Sequence, residues 1–308
     1  MITWTEMWTK TQRLTKDSNA DVLTQLKQDL NTGYHMFNQK LGRYYSRKQQ
    51  FTDAIVNQSQ YQTPIDSIRV IGMTWLVTPT YEIPLKEIRS EYEWRQIVSV
   101  KNYKSNWPTW YFVLGKDQIA VWPTPSQDVT NGIRFYYQPQ DHDLSVEDIT
   151  SVTTGSTVTV TNGDDTVTAD SDTPFTEDMA TLSFQVTGQT DLTWYDIESA
   201  TTTELTLKSA YAAMSGSGKA WRIGQTSIIP QEYQDAPMHY ALGNYWSAQG
   251  NESRSAFHLG TKDKPGMFYT MMTACQEDYS SSLESSVIDE PAYDTLNLWL
   301  VPPPNSNP

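Results

Sequence analysis

The chain has 308 residues, of which 38% are hydrophobic and which include 11 Trp and 18 Tyr; this length admits two cored units, or one domain with an insertion, and the rings argue against disorder. A single cysteine, Cys275, excludes an internal disulfide and a thiolate metal cluster and fits a reducing cytoplasm, while no run of about 18 apolar residues predicts a membrane span and Met1–Glu6 has no secretion-signal pattern. The net charge of −14 counts against a general nucleic-acid binder, which needs a basic footprint, and is compatible with an acidic passage through which DNA slides without sticking.

The first predicted helix covers about residues 20–39. Ser18 or Asn19 caps it, and Val22, Leu23, Leu26, Leu30, Tyr34 and Phe37 recur at helical spacing. Tyr44–Val56, Asp66–Val77 and Tyr81–Ile88 read as strands separated by Pro64, Pro79 and Pro84. Trp110–Trp122 reads as a hairpin with a Gly-containing turn, ended by Pro123 and Pro125, and Ile133–Tyr137 returns as a third strand, stopped by Pro139. These make a small antiparallel β-meander.

From about 151 to 225 the composition turns to Thr, Ser, Gly and Asp. Six short strands are predicted there, at Thr157–Thr161, Thr166–Ala169, Leu182–Thr187, Trp194–Ser199, Glu204–Leu207 and Ala220–Ile223, as in a small sandwich or barrel. Residues 145–220 hold 12 acids against Lys208 and Lys219. Helical pattern resumes at Pro230 and runs to about Ala248, and a further helix follows Lys264-Pro265-Gly266 to about Leu283. The expected fold is α+β: a discontinuous body of residues 1–150 and 226–284, with an all-β domain inserted at 151–225. A tail at 285–308 follows, acidic and proline-rich, with Leu296, Leu298, Trp299, Leu300 and Val301 as an apolar cluster expected to bury itself on a partner.

No motif for chemistry meets its spacing. Gly216-Ser217-Gly218-Lys219 lacks the earlier Gly and the following Ser or Thr of a phosphate loop, since Ala213 and Ala220 stand there, and reads as a flexible turn. Asp141-His142-Asp143, and Asp235 with His239, offer too few metal ligands, while His35 and His258 have no complementary group near them in sequence. Asp164, Asp165, Asp170 and Asp172 lack the closing Glu of a calcium loop. Cys275 lies on an apolar helical stripe and reads as a core residue. The expectation is no catalytic residue, no cofactor and no metal. Lys40, Arg43, Arg47 and Lys48, interleaved with Tyr44 and Tyr45, are the densest basic group: a solvated face, or a contact with an acidic neighbouring subunit or DNA phosphates.

The run Trp110-Tyr111-Phe112-Val113-Leu114, then Gln118-Ile119-Ala120-Val121-Trp122-Pro123-Thr124-Pro125, then Ile133-Arg134-Phe135-Tyr136-Tyr137-Gln138-Pro139 resembles tailed-phage head-to-tail adaptor (connector) proteins. The helix with Pro230-Gln231-Glu232-Tyr233 and Tyr240-Ala241-Leu242-Gly243-Asn244-Tyr245-Trp246 is similar to that family's helix after its β-region. The resemblance implies a structural virion protein in a homo-oligomeric ring, typically of twelve copies. Such a ring binds the portal, receives the next neck or tail protein, and lets DNA pass. The alternative is a carbohydrate-binding virion protein in which Trp194, Tyr195 and Trp221 of the insertion stack on sugars, although alternate strand residues are more often core.

Overall fold

The structure is a computed structural model that describes residues 1–284, apart from 79, 80, 100–103, 116, 172, 189–192, 262 and 263. The apolar cluster Leu296–Val301 therefore lies outside the described residues.

A helix absent from the sequence reading opens the fold. In α1 (Trp4–Thr15) the Thr3 hydroxyl accepts from the Glu6 N–H and the Glu6 carboxylate accepts from the Thr3 N–H, a reciprocal cap that satisfies two helix-end donors. Next comes α2 (Ala20–Tyr45), capped by Asn19 and six residues longer than its expected end at residue 39. Tyr44 and Tyr45, expected to open a strand, form its last turn. Tyr44 is buried and Tyr45 meets Tyr279 edge-on at 6.2 Å, so packing overrides their strand preference.

The chain then builds β1 (Lys48–Ala54), β2 (Gln60–Gln62), β3 (Ser67–Thr78), β4 (Tyr81–Glu87), α3 (Glu91–Val98), β5 (Lys104–Ser105), β6 (Trp110–Val113), β7 (Gln118–Trp122), β8 (Thr124–Pro125) and β9 (Val129–Pro139). The expected hairpin is β6–β7, but the strand after it does not extend that hairpin. Instead β9 inserts between β1 and β3, giving one sheet in the order β1-β9-β3-β4-β6-β7-β2, with β4 and β6 parallel and the other pairs antiparallel. β5 and β8 form a separate parallel pair. The terminal strands β1 and β2 are joined by only residues 55–59, a reach of about 20 Å at most. The sheet must therefore curl, and it does so around Met73, Trp75, Tyr111, Ile119, Val121, Ile133 and Phe135. Outside this core Trp94 of α3 stacks on Phe112 at 5.5 Å.

The Thr/Ser/Asp-rich region contains β10 (Ile149–Thr150), α4 (Ser151–Thr154), β11 (Val158–Val160), β12 (Thr166–Ala169), β13 (Ser183–Val186), β14 (Tyr195–Ala200), β15 (Glu204–Leu207), β16 (Gly216–Lys219) and β17 (Trp221–Gly224). Their order is β10-β17-β13-β14-β15-β12-β11-β16. Only Ala220 separates β16 from β17, yet β16 stands at one end of that order and β17 next to the other. One nearly continuous strand thus borders both ends of the sheet, which wraps into a barrel and leaves few free edges. Gly216–Lys219, expected as a turn, is a strand with its register set by β11. Val158, Val167, Phe175, Phe184, Ile197, Leu205 and Trp221 fill the interior.

After the barrel a 3₁₀ turn, Gln231–Tyr233, precedes α5 (Ala236–Ala248), so the helix expected from Pro230 starts later. Then follow α6 (Glu252–Leu259), which the sequence reading missed, and α7 (Met267–Glu284). Leu26, Leu30 and Phe37 of α2 share one core with Ala241 and Leu242 of α5 and Phe268, Met272 and Cys275 of α7. α2 and α5 approach closely because Gly33 carries no side chain: a Cβ there would stand 2.7 Å from the Tyr240 Cβ.

Candidate functional site

The basic group at the junction of α2 and β1 is not a uniform patch. The Arg43 guanidinium lies over the Tyr44 ring at 4.6 Å and donates to its hydroxyl, and Lys48 pairs with Asp66 at 3.0 Å. Burial acts to raise the Asp66 carboxyl, but hydrogen bonds from Lys48 and Tyr137 and the Lys48 charge outweigh it and leave it below its ordinary value. Arg47 donates through Nε to the Arg43 carbonyl at 2.9 Å, answering an orphan acceptor of the helix end. Lys40, Arg47 and Lys48 are all exposed, and with Lys48 paired to Asp66 it is Lys40 and Arg47 that present the group's charge outward.

Beneath this junction lies a buried polar cluster. Gln138 of β9 donates to the Asn38 carbonyl at 2.8 Å, and the Tyr45 hydroxyl donates to the Asn38 side-chain oxygen. Gly42 makes room, since a Cβ there would stand 2.6 Å from Gln138 Nε2. Burial pushes the Asp141 carboxyl up to about 6, against the charges of His35 and His142. Asp143 turns elsewhere and meets His35 Nε2 at 2.6 Å. The sequence triplet Asp141-His142-Asp143 is thus divided between neighbours.

Asp235 takes Lys10 Nζ at 2.5 Å, while His239 faces His258 with 2.8 Å between their Nδ1 atoms. His35 and His258, solitary in sequence, both have partners in space. Burial lowers both members of the His239–His258 pair, His258 to about 4, where the neighbouring His239 adds to the effect. One ring must donate from Nδ1 and the other accept there, so the contact requires two different tautomers. Among the described residues no group of three or more His, Cys, Asp or Glu is placed to hold a metal ion. Cys275 is fully buried, and burial pushes its thiol up to about 12, ahead of the charges of Asp278 and Glu232.

In the barrel, Trp194, Tyr195 and Trp221 are 8%, 4% and 0% exposed, which removes the sugar-stacking platform expected of them. The Trp194 face is occupied by the Arg222 guanidinium at 4.6 Å. Asp170 accepts from the hydroxyls of Thr157 and Thr159 and, at 2.8 Å, from the Gly218 N–H, so it ties three segments of the barrel together.

The barrel meets the helical body at a dense joint. Arg222 Nη1 reaches the Glu6 carboxylate at 2.6 Å and Asp148 at 3.9 Å, and its Nε donates to Gln185 at 2.7 Å. Thr3 forms a bridge with Thr226, the Trp4 N–H donates to the Gln225 carbonyl at 2.9 Å, and the Asp148 N–H donates to the Thr5 hydroxyl at 2.8 Å. Single-sequence reading could not have found this joint, which brings Thr3 to Thr226 and whose Arg222 and Glu6 are 216 positions apart. Its one local signal was the Thr3-x-x-Glu6 cap.

Lys40 and Arg47 are exposed, and a cleft between β1 and β2 is lined by Thr52, Asp53, Ile55, Gln60, Tyr61 and Gln62. The proposed anchor Leu296, Leu298, Trp299, Leu300 and Val301 is outside the described residues. No described helix is long and apolar enough to cross a membrane. Comparison with known families finds that the model of SU10 adaptor protein matches residues 2–165, which include the hairpin and the β9 strand. No curated protein matches the chain.

Proposed function

Because this chain belongs to the SU10 adaptor protein family, we propose that copies of it assemble into a ring in the phage neck, joining the portal to the next neck or tail protein around the path of the DNA. It is an adaptor, a structural protein of a phage virion that interacts with other head and tail proteins. The observation that carries this is the family match over residues 2–165. A structural family of this kind speaks for a chain that assembles and does not catalyse.

The finer reading is a ring of twelve copies, with the unit at 151–225 as an insertion in an adaptor body of 1–150 and 226–284. A net charge of −14 suits a passage that lets DNA slide by without holding it. Lys40 and Arg47 supply contacts to an acidic neighbouring subunit or to phosphates. The tail at 285–308 docks on the portal through Leu296, Leu298, Trp299, Leu300 and Val301, where one large buried ring can supply ~2 kcal/mol or more of affinity. Pro302, Pro303 and Pro304 stiffen the free chain and lower its ordering cost.

Negative-stain microscopy of the purified protein, alone and mixed with portal, tests the ring; monomers under both conditions would count against it. Trp299→Ala and truncation after Ser285 are expected to abolish portal binding with the fold intact. Unchanged affinity in both variants would remove the tail from the interface.

A further inference from the structure

The dipeptide Asn-Gly occurs at 131–132 and again at 162–163, and Thr130 and Thr161 precede it, so the two places share the local sequence Thr-Asn-Gly. In this dipeptide no side chain shields the backbone nitrogen that follows the asparagine, and that nitrogen can attack the asparagine's own side-chain carbonyl carbon. In a folded protein the reaction depends on whether the structure leaves both groups free. The two sites differ in that respect.

Asn131 sits in a bulge of β9. Thr52 pairs with Ile133 and Ala54 with Val129, so residues 130–132 stand opposite Asp53. The bulge accounts for both members of the dipeptide. Asn131 adopts φ +53°, a left-handed conformation that asparagine tolerates better than most residues, and at Gly132 a Cβ would stand 2.8 Å from the Val129 Cβ and 2.9 Å from the Ala54 Cβ. The Asn131 backbone is tied, its N–H donating to Asp53 Oδ1 at 2.7 Å. Its side chain is not. The residue is exposed, and among the described residues its amide has no hydrogen-bond partner, so it is free to swing toward the Gly132 nitrogen.

Asn162 lies between β11 and β12 of the barrel and is exposed as well, so exposure does not separate the two. Its Nδ2 donates to the carbonyls of Ala212 at 2.7 Å and Ala213 at 3.0 Å, and its backbone N–H to the Ser215 hydroxyl at 2.7 Å. The Gly163 N–H, which belongs to the attacking nitrogen, donates to the Tyr211 carbonyl at 2.8 Å. Reaction at Asn162 must break these amide and backbone bonds together, and their cost adds to its barrier.

We propose that Asn131 is a site of spontaneous deamidation in the folded protein and that Asn162 is protected. The Gly132 nitrogen bonds to Asn131 Cγ, the Cγ–Nδ2 bond breaks, and the departing amide takes the Gly132 proton and leaves as ammonia. Water then opens the succinimide ring. Attack at Cγ gives aspartate, and attack at the Asn131 main-chain carbonyl gives isoaspartate; the step needs water and no oxidant or reductant. Either product sets a new carboxylate beside Asp53 and Asp128, which accept the Asn131 and Val56 N–H groups at the bulge, each at 2.7 Å. Isoaspartate also adds a carbon to the main chain, where the pairing of β9 with β1 depends on the length of the bulge.

Peptide mapping by mass spectrometry of the full chain, aged in neutral buffer, tests it. Conversion at Asn131 is expected to run at least tenfold faster than at Asn162, with aspartate and isoaspartate both present and the latter read by enzymatic methylation. In urea, where only the shared Thr-Asn-Gly sequence acts, the two rates are expected to converge. Asn131→Gln is expected to remove the more acidic species that accumulates on anion exchange as the native protein ages. A native preference for Asn131 no larger than that in urea, or no conversion at Asn131 in the time the unfolded chain takes to convert, overturns the assignment. An acidic species undiminished in Asn131→Gln places the reaction at another residue and overturns it too.

Discussion

Arg222 on β17 and Glu6 on α1, 216 positions apart, meet at 2.6 Å across the joint between the barrel and the helical body. The pair is partly shielded, with 23% and 38% of the two side chains exposed, and each partner has a second role: Glu6 caps α1 and Arg222 covers Trp194. Arg222→Met is expected to lower unfolding stability by about 1–2 kcal/mol, as for a hydrogen bond between charged groups discounted for solvent. Glu6→Gln is expected to lower it less, because an amide oxygen still accepts at the cap. Urea unfolding of the two single variants and the double variant measures the coupling, and strictly additive losses would show that the pair does not act as a unit.

Gly33 sets the distance between α2 and α5. Gly33→Val has to displace Tyr240, whose Cβ stands 2.7 Å from where the new Cβ would be, and is expected to cost ~1–3 kcal/mol by overpacking. Gly115, with nothing within 4 Å of an added Cβ, is the control: Gly115→Ala is expected to leave the midpoint unchanged.

The His239–His258 contact gives stability a pH dependence. Both rings bind protons less readily folded than unfolded, so the unfolded chain carries the extra protons and this contribution is lost as pH falls, from about 6.5 down to about 4. His258→Gln is expected to flatten the stability profile in that window. An unchanged slope would show that the pair is not held neutral by the fold.

Asp141 acts with the opposite sign. Its carboxyl is raised from 3.8 to about 6, so the folded state binds more protons than the unfolded one between those values, and its burial costs stability as pH rises through them. Asp141→Asn is expected to stabilise the protein at pH 7, with the gain disappearing below about pH 4. A loss of stability at pH 7 would mean that His35 and His142 outweigh burial.

β10 and β17 bring the two ends of the barrel together, Ile149 opposite Ile223 and Thr150 opposite Arg222. Replacing residues 151–225 by a short Gly/Ser linker is expected to leave the helical body cooperatively folded, though less stable because Arg222 and Gln225 leave the joint. Unfolding of the body, read by far-UV circular dichroism and tryptophan fluorescence, would show that the two parts fold as one.

Where local chemistry decides structure, the sequence was readable. Thr166–Ala169 and Glu204–Leu207 were delimited residue for residue because turn residues bound alternating strands, and Trp110–Trp122 is the hairpin its Gly-containing turn indicated. α1 escaped because its Thr-rich run masks the apolar stripe, although Thr3 and Glu6 announce the cap; α6 escaped because it buries no residue fully. Gly216–Lys219 has no side-chain pattern and is a strand only because β11 pairs with it. The barrel joint is not local, because it follows from residues 3–6 reaching 222–226, and the sheet order is not local either, because β9 passes between β1 and β3. Of the sequence-named basic residues, Lys40 and Arg47 face solvent, while Arg43 and Lys48 are held by Tyr44 and Asp66.

The burial of Cys275 bears on how such a particle endures. A virion passes from the interior of a cell into aerated water and stays there for as long as it takes to meet a host, with no repair available. Oxidants and disulfide partners attack the thiolate, and a fully buried thiol raised to about 12 yields little of it near neutral pH. With no second cysteine in the sequence to pair with, the buried thiol of each copy is kept from disulfide exchange. Ageing of this component is left to deamidation, methionine oxidation and unfolding, and a change in the thiol–disulfide balance of the medium should not alter its assembly.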